Sequence, residues 1–259
     1  MHDSLLTFDS AAATHVGKVR SRNEDSYLVQ PQSGIWAVAD GMGGEQSGDV
    51  ASATVIAALQ SIEPPGSAAD LLAACVDRVL RANSRLRAIA SERGAAVVGT
   101  TIAVLLAFDS HYACVWSGDS RIYRVRDGEI AQLSRDHTTV QELLDRGVLT
   151  PDEARAWPER HVITRAIGVY DEPELEMEHG ALRPGDIFVL CSDGLTAHVS
   201  DEEILDCVAS HLSQQACDAL IALTLGRGAL DNVTVIVVRY RPNGTTIVMP
   251  AGEPSAQVE

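Results

Sequence analysis

Six carboxylates stand at the ends of apolar, strand-like segments of this sequence. They are Glu24, Asp25, Asp40, Asp119, Asp193 and Asp231. An aspartate beside a glycine is usually just a turn. Carboxylates that converge at one end of a fold, however, repel each other by about 4 kcal/mol per pair at 4 Å and an effective dielectric near 20. A fold tolerates such a group if the acids lie apart or share cations, so the pattern indicates a cation site.

The chemistry of such a site follows from its oxygen donors. Mg²⁺ and Mn²⁺ take oxygen ligands and keep several waters. Glycines follow Asp40, so the carbonyl of Gly41 can come close to an ion. Two ions about 3.5–4 Å apart can lower the pKa of a shared water, which suits hydrolysis of a phosphate ester. Arg20 is close in sequence to the first two acids, and its planar guanidinium matches phosphate oxygens.

Composition narrows the class of protein. The 259 residues carry 20 Lys and Arg against 36 Asp and Glu, a net charge of −16. General nucleic-acid binding normally needs a basic face and is not expected. No apolar run reaches the roughly 18 residues that cross a bilayer, and the first ten residues lack the basic region of a secretory signal. The five cysteines form no C-x-x-C pair, which indicates free thiols in a reducing cytoplasm. We therefore expect a cytoplasmic protein without membrane or nucleic-acid contacts.

Short apolar runs with branched or aromatic residues predict strands at seven places. They are Tyr27–Val29, Ile35–Ala39, Thr101–Phe108, Tyr112–Trp116, Ile122–Val125, Ile187–Cys191 and Val233–Val238. Glu174–Glu178 alternates polar and apolar residues and predicts a half-exposed strand. The Arg-Asp-Gly sequence at 126–128 predicts a hairpin turn.

Helix signals complete the pattern. Ser67 followed by Asp70 is typical of a helix start, and Gly94 of the end of that helix. Ser200 followed by Glu203 predicts a second capped start. The predicted helices cover about 49–61, 67–94, a segment from 200 onward, and 214–225.

These elements favour two packed sheets flanked by helices, because many of the strands are apolar enough to be buried on both faces. Residues 136–168 combine short helices, turns and a proline, which predicts an insertion lying on the core. From Arg241 onward the sequence has no clear pattern and predicts a flexible tail, 241–259. We expect one domain over residues 1–240.

Eight short motifs follow one another along the chain. They are VGKVRSRNED (16–25), VADGMGG (38–44), GTT (99–101), SGDSRIY (117–123), LSRDHT (133–138), ITRAIG (163–168), CSDGL (191–195) and DNVTVIVV (231–238). Each is weak alone, but in this order the set resembles the bacterial form of the metal-dependent serine/threonine protein phosphatases of type 2C. The resemblance covers about residues 10–240.

The resemblance implies an α+β fold, a four-layer α-β-β-α sandwich in which helix pairs flank two antiparallel sheets. It also implies two manganese or magnesium ions at one end. Asp40 would bridge both ions and act in catalysis, and the Gly41 carbonyl would bind one of them. Arg20 would hold the substrate phosphate, and residues 136–163 would form a flap beside the site. The remaining implied metal ligands are Glu24, Asp25, Asp193 and Asp231, with Asp119 at a third, weaker ion.

Two positions depart from the family pattern. Met42 stands where many eukaryotic members have a histidine that is proposed to protonate the leaving alkoxide, and methionine cannot donate a proton. His161 in the flap is a candidate donor, although a lone loop histidine is more often simply solvated. Trp157 stands before a proline where bacterial relatives often have histidine, and is interpreted as an anchor of the flap rather than a substrate contact.

The implied function is hydrolysis of phosphoserine and phosphothreonine by direct attack of metal-bound hydroxide, without a phosphoenzyme. No cysteine lies in a C-x₅-R phosphatase signature, which disfavours a covalent thiol route. The implied partners are phosphorylated proteins, above all a bacterial Ser/Thr kinase and its targets, and a monomer is expected.

Three alternatives stay open at this point. A non-catalytic binding protein on the same fold would be indicated by loss of a core ligand, but all the matched acids are present. A phosphatase of a partner-switching pathway would act on a small phosphoserine protein. The third alternative is a small-molecule phosphatase. Only a comparison of the hydrolysis of small phosphate esters with that of a phosphopeptide would distinguish it from a protein phosphatase.

Overall fold

A computed structural model of the protein describes residues 7–43, 47–94, 97–159 and 161–241. The strands are β1 (Thr7–His15), β2 (Asp25–Gln30), β3 (Ile35–Met42), β4 (Gly99–Thr100), β5 (Ile102–Phe108), β6 (His111–Ser117), β7 (Arg121–Arg126), β8 (Glu129–Gln132), β9 (Glu176–Ala181), β10 (Ile187–Cys191) and β11 (Val233–Arg241). The α-helices are α1 (Gly48–Gln60), α2 (Ala68–Arg93), α3 (Thr139–Asp145), α4 (Pro151–Arg155), α5 (Asp193–Thr196), α6 (Asp201–Ser210) and α7 (Ser213–Gly226).

The strands form two antiparallel sheets. One sheet has the order β1-β11-β10-β7-β8, and the other has the order β2-β3-β5-β6-β9 with the short β4 paired to β3. Helices α1 and α2 cover the outer face of the second sheet, and α6 and α7 cover the outer face of the first. The predicted four-layer α-β-β-α sandwich is confirmed.

Strand β3 shows why the central strands read as continuous apolar runs. Ile35 and Ala37 point toward the α1–α2 layer, whereas Trp36 and Val38 point into the core between the sheets. Successive side chains of a strand face opposite sides, and here both sides are covered. All four are fully buried, so β3 is held rigidly up to the point where Asp40 leaves the core.

The predicted helix ends are confirmed at both capped starts. The Ser67 hydroxyl accepts from the backbone N–H of Asp70, and Gly94 ends α2 in the left-handed conformation. Ser200 and Glu203 form a reciprocal capping box at α6. Asp127 and Gly128 both have positive φ between β7 and β8, as a two-residue hairpin turn requires.

Several elements differ from the sequence prediction, among them the short β4 and α5, which were not predicted. Strand β1, which pairs along its whole length with β11, was not predicted, because its Ala-rich sequence has low strand propensity. The predicted strand at 174–178 begins two residues later, as β9. Strand β8 was also missed, since only Ile130 is strongly apolar in it. The predicted tail, 241–259, lies outside the described residues apart from Arg241.

Within the described ranges, no helix is long and apolar enough to cross a membrane. The predicted insertion consists of helices α3 and α4 and their connections. Its base is fixed to the core because Thr138 and Ile163 form an isolated antiparallel bridge.

Candidate metal centre

The acids come together because strand ends of both sheets meet at one edge of the sandwich. Asp25 is the first residue of β2 and lies directly opposite Asp40 in the β2–β3 ladder. In the other sheet, Asp193 lies two residues after the end of β10, and Asp231 lies two residues before the start of the antiparallel β11. The centre is therefore built by two strand pairs whose ends face each other across the sandwich.

Asp25 joins the two sheets. Its Oδ2 accepts hydrogen bonds from the hydroxyls of Ser192 and Thr234, both at 2.7 Å. Its Oδ1 is buried and has no hydrogen-bond partner among the described residues. One oxygen is thus fixed by the protein and the other is left for a ligand, since buried polar atoms are rarely left unpaired.

The backbone around Asp40 is held from one side by Thr101, which lies between β4 and β5. The Asp40 N–H donates to the Thr101 hydroxyl at 3.1 Å, and the Asp40 carbonyl accepts from the Thr101 N–H at 2.8 Å. The following residue, Gly41, passes between two backbone segments. A Cβ placed there would lie 2.7 Å from the Glu24 carbonyl oxygen and closer still to that of Gly48.

Burial and mutual repulsion raise the pKa values of these acids. For Asp25, burial is the main cause and raises the pKa to about 6. The pKa of Asp40 is raised well above its usual range by burial and then by the charges of Asp25 and Asp193. Burial, followed by neighbouring carboxylates, also raises the pKa values of Asp119 and Asp193. The repulsion among these carboxylates is concentrated where both sheets end, as a cation site would require.

Arg20 lies at the rim of the same edge. Its guanidinium donates to Asp231 Oδ2 at 2.7 Å, and this hydrogen bond is the main cause that raises the pKa of Arg20. Asn232 holds the loop in place: it accepts from the Glu24 N–H and donates to the carbonyls of Val16 and Arg22, each at 2.8 Å. The predicted phosphate-binding arginine is therefore anchored within the acidic group.

Asp119 lies in the turn between β6 and β7, on the flap side of the centre. Beside it a cavity of about 470 Å³ opens beneath the flap helices α3 and α4, and Asp193 and His161 also line it. The His161 Nδ1 lies 3.8 Å from Asp193 Oδ2. Trp157 is half-buried in the flap, so its predicted role as an anchor stays a prediction.

The residues present fit divalent ions of the magnesium or manganese type. Every donor is a carboxylate or carbonyl oxygen, two carboxylate oxygens (Asp25 Oδ1 and Asp193 Oδ1) are buried without a partner among the described residues, and neighbouring carboxylates repel each other. In the described part of the chain, no three His, Cys, Asp or Glu side chains are arranged around one point as a complete ligand set.

The Asp25 pKa gives a stability prediction with a definite sign. A folded-state pKa of about 6, against a usual value of 3.8, stabilises the fold below pH 4, and this contribution is lost as the pH rises through 6. In Asp25→Asn the amide oxygen can still accept from Ser192 and Thr234, but the titration is gone. In urea unfolding with chelator, we expect the free energy of unfolding of the variant, relative to that of the wild type, to rise by about 2 kcal/mol between pH 4 and pH 7.5. A difference that does not change with pH would contradict the shift.

Gly41→Ala is expected to destabilise the protein by about 3 kcal/mol, because the new methyl group cannot fit without moving two backbone segments. Gly226→Ala is the control, since nothing lies within 4 Å of its Cβ position at the end of α7, and it should be as stable as the wild type or slightly more stable. Urea unfolding of both variants measures the difference. Equal midpoints for the two would show that the Gly41 backbone is not tightly enclosed.

Several supporting residues were missed by the sequence analysis. Ser192 and Thr234 fix Asp25, Asn232 fixes the Arg20 loop, and the buried His137 accepts from the Gly118 N–H at 3.1 Å and so holds the turn of Asp119. A weak signal existed for Thr234, which is a polar residue inside an otherwise apolar strand. Ser192 and Asn232 lie in motifs whose acids alone were assigned, and His137 lies in the motif LSRDHT, from which no residue was assigned.

Comparison with known proteins defines the class to which this centre belongs. Residues 14–221 match the family model described as Protein phosphatase 2C. The serine/threonine protein phosphatase PstP of Mycobacterium tuberculosis is 42% identical over 234 residues, which is 90% of this chain and 45% of PstP. The protein phosphatase PhpP of Streptococcus pneumoniae is 33% identical over 235 residues, covering 87% of this chain and 94% of PhpP.

A solved structure agrees with the sequence relatives. The catalytic domain of PstP in complex with two manganese ions superposes with a TM-score of 0.83 at 39% identity, covering 91% of this chain and 99% of that one. The chain belongs to the protein phosphatase 2C family, and it spans a little under half the length of the mycobacterial PstP.

Proposed function

We propose that the chain is a metal-dependent protein phosphatase that hydrolyses phosphoserine and phosphothreonine. The observation that carries this proposal is the meeting of acids from both sheets with an anchored arginine at the same edge. Acids alone would make a cation site, but Arg20 adds a group suited to phosphate oxygens. Membership of the family supports the same activity.

We assign the ligands as the sequence predicts. Glu24, Asp25, Asp40, the Gly41 carbonyl, Asp193 and Asp231 would hold two Mn²⁺ or Mg²⁺ ions, and Asp119 a third, weaker one. Bound ions of this kind lower the pKa of water and offset the charge of a phosphate group. Ser192 and Thr234 would keep Asp25 oriented, and Thr101 would keep the Asp40 backbone in place.

The chain's own residues supply the remaining steps. Arg20 would bind and orient the substrate phosphate. Met42 cannot donate a proton to the leaving alkoxide, and His161 is the flap side chain near Asp193 that could do so. A thiol nucleophile is disfavoured, because burial raises the pKa of Cys191, the cysteine nearest the centre in sequence, to about 12.

We further propose that residues 1–240 form the catalytic domain with 136–163 as its flap, acting as a monomer in the cytoplasm. All five cysteines are free thiols, which suits that compartment. The substrates would be phosphorylated proteins, including a Ser/Thr kinase and its targets. The names of PstP and PhpP as protein phosphatases support this substrate class, and the net charge of −16 argues against nucleic acid as a partner.

The deciding experiment is phosphate release from a phosphothreonine peptide with Mn²⁺, with chelator, and in Asp193→Ala. We expect release that needs Mn²⁺ and is lost in the variant. Mn²⁺ binding without release in the wild type would favour a binding protein on the same fold. Faster release from small phosphate esters than from any phosphopeptide would favour a small-molecule phosphatase.

A further inference from the structure

Two exposed cations next to Arg20 have no ion-pair partner among the described residues. Lys18 and Arg22 make no ion pair and no side-chain hydrogen bond with any described residue, whereas most arginine side chains of the described ranges are in ion pairs. They lie two positions before and two after Arg20. Residues 18–22, which contain Lys18, Arg20 and Arg22, are called the basic loop.

The basic loop is fixed along the segment that leads into β11. The Lys18 N–H donates to the Ala229 carbonyl at 2.9 Å, and Arg20 donates to Asp231 at 2.7 Å. The Arg22 carbonyl accepts from the Asn232 side chain at 2.8 Å. These three attachments hold the backbone beside the centre, so the two unpaired cations stay close to the place where Arg20 would bind phosphate.

The spacing of Lys18 and Arg22 from Arg20 determines which groups of a bound substrate these two side chains can contact. A peptide extends at most about 3.3–3.6 Å per residue, so groups within three residues of the phosphorylated one stay within about 11 Å of it. Lys and Arg side chains are long and flexible enough to reach such groups from either side of Arg20. Neither side chain forms an ion pair with a described residue, so both charges are available to a ligand.

From these observations we propose that the basic loop selects phosphoprotein segments that carry a second anionic group within about three residues of the phosphorylated residue. The group is a carboxylate or a second phosphate. This inference rests on the proposed phosphatase function and names its substrate class. The net charge of −16 alone would favour basic segments, whereas the basic loop favours acidic ones. The two expectations are opposite, so a comparison of peptides can distinguish them.

The test compares phosphothreonine peptides that differ only at the positions two residues before and after the phosphothreonine. One peptide has Asp there, one Asn, one Arg, and a fourth has a second phosphothreonine after the first. The measurement is kcat/KM with Mn²⁺ for the wild type, Lys18→Glu and Arg22→Glu. Arg85→Glu is the matched control, since Arg85 is also exposed, makes no ion pair with a described residue, and lies on the distant helix α2.

We expect the wild type to prefer the Asp peptide over the Asn peptide by about fivefold, and the Arg peptide to be the poorest substrate. Each basic-loop variant should lower the Asp-to-Asn ratio about two- to threefold, and Arg85→Glu should keep it. The ratio should fall with added salt, because exposed charges are screened beyond about 8 Å at physiological ionic strength. A higher rate for the doubly phosphorylated peptide than for the Asp peptide would identify the second group as phosphate, and equal rates a carboxylate.

Equal rates for the Asp and Asn peptides in the wild type would overturn the proposal. So would an equal loss of preference in Arg85→Glu, because it would show a long-range charge effect. Fluorescence anisotropy with Asp193→Asn and labelled peptides separates binding from turnover. If the wild type hydrolysed no peptide but Asp193→Asn still bound the Asp peptide more tightly than the Asn peptide, the phosphatase activity would be rejected and the role of the basic loop kept. Equal Kd values for the two peptides would reject the role of the basic loop.

Discussion

Asp40→Asn is expected to reduce kcat about a thousandfold and, in chelator, to make the protein more stable than the wild type. The loss of activity follows because Asp40 occupies the position that would hold both ions, and their combined effect on water and phosphate is lost with it. The gain in stability follows because the Asp40 carboxylate is buried against Asp25 and Asp193, which raise its pKa. A neutral amide removes that repulsion, and we expect about 1–2 kcal/mol.

The control is Asp186, a buried aspartate elsewhere in the same fold. Its carboxylate accepts from Arg126 at 2.7 Å through both oxygens and from the Arg183 N–H. Removing its charge should therefore destabilise the protein by about 3 kcal/mol while leaving turnover unchanged. Urea unfolding in chelator and phosphate release with Mn²⁺ measure both effects. If Asp40→Asn unfolded as easily as Asp186→Asn, the Asp40 carboxylate would be a structural residue and not a strained metal ligand.

The positions of the acids could be predicted from the sequence because each is encoded locally. Asp40 follows a run whose alternate residues fill two different cores, and Asp193 follows another buried strand, so both aspartates emerge where a buried apolar run ends, although β3 itself continues to Met42. Helix caps and the 126–129 hairpin were predictable for the same reason. Such signals need only the neighbouring residues.

The network that supports the acids could not be predicted in this way. The partners of Asp25 lie 167 and 209 residues further along the chain, and hydroxyl residues such as Ser192 and Thr234 are too common to indicate a contact over that distance. Strand β1 escaped prediction because its pairing with β11, rather than its own alanines, keeps it extended. Both features depend on tertiary structure that a single sequence does not encode locally.

Arg20 was predicted as a phosphate ligand, and the structure adds a second property. Its guanidinium donates to Asp231, which the family resemblance assigns to an ion. A divalent ion and Arg20 are therefore alternative counter-charges for the same carboxylate. If Asp231 held an ion, its hydrogen bond to Arg20 would weaken, and the planar guanidinium of Arg20 would be free to bind the phosphate group of the substrate.

Arg20→Ala should consequently change two measurements in opposite directions. We expect kcat/KM for a phosphothreonine peptide to fall about a hundredfold, mainly through KM, because a charge-assisted phosphate contact contributes roughly 2–3 kcal/mol. We expect Mn²⁺ to bind a few-fold more tightly in calorimetric titration, because Asp231 loses its competing partner and a positive charge leaves the site. Arg20→Lys keeps the charge without the planar fork and should recover only part of the lost activity. Weaker Mn²⁺ binding in Arg20→Ala would mean that Arg20 orients Asp231 for the ion instead of competing with it.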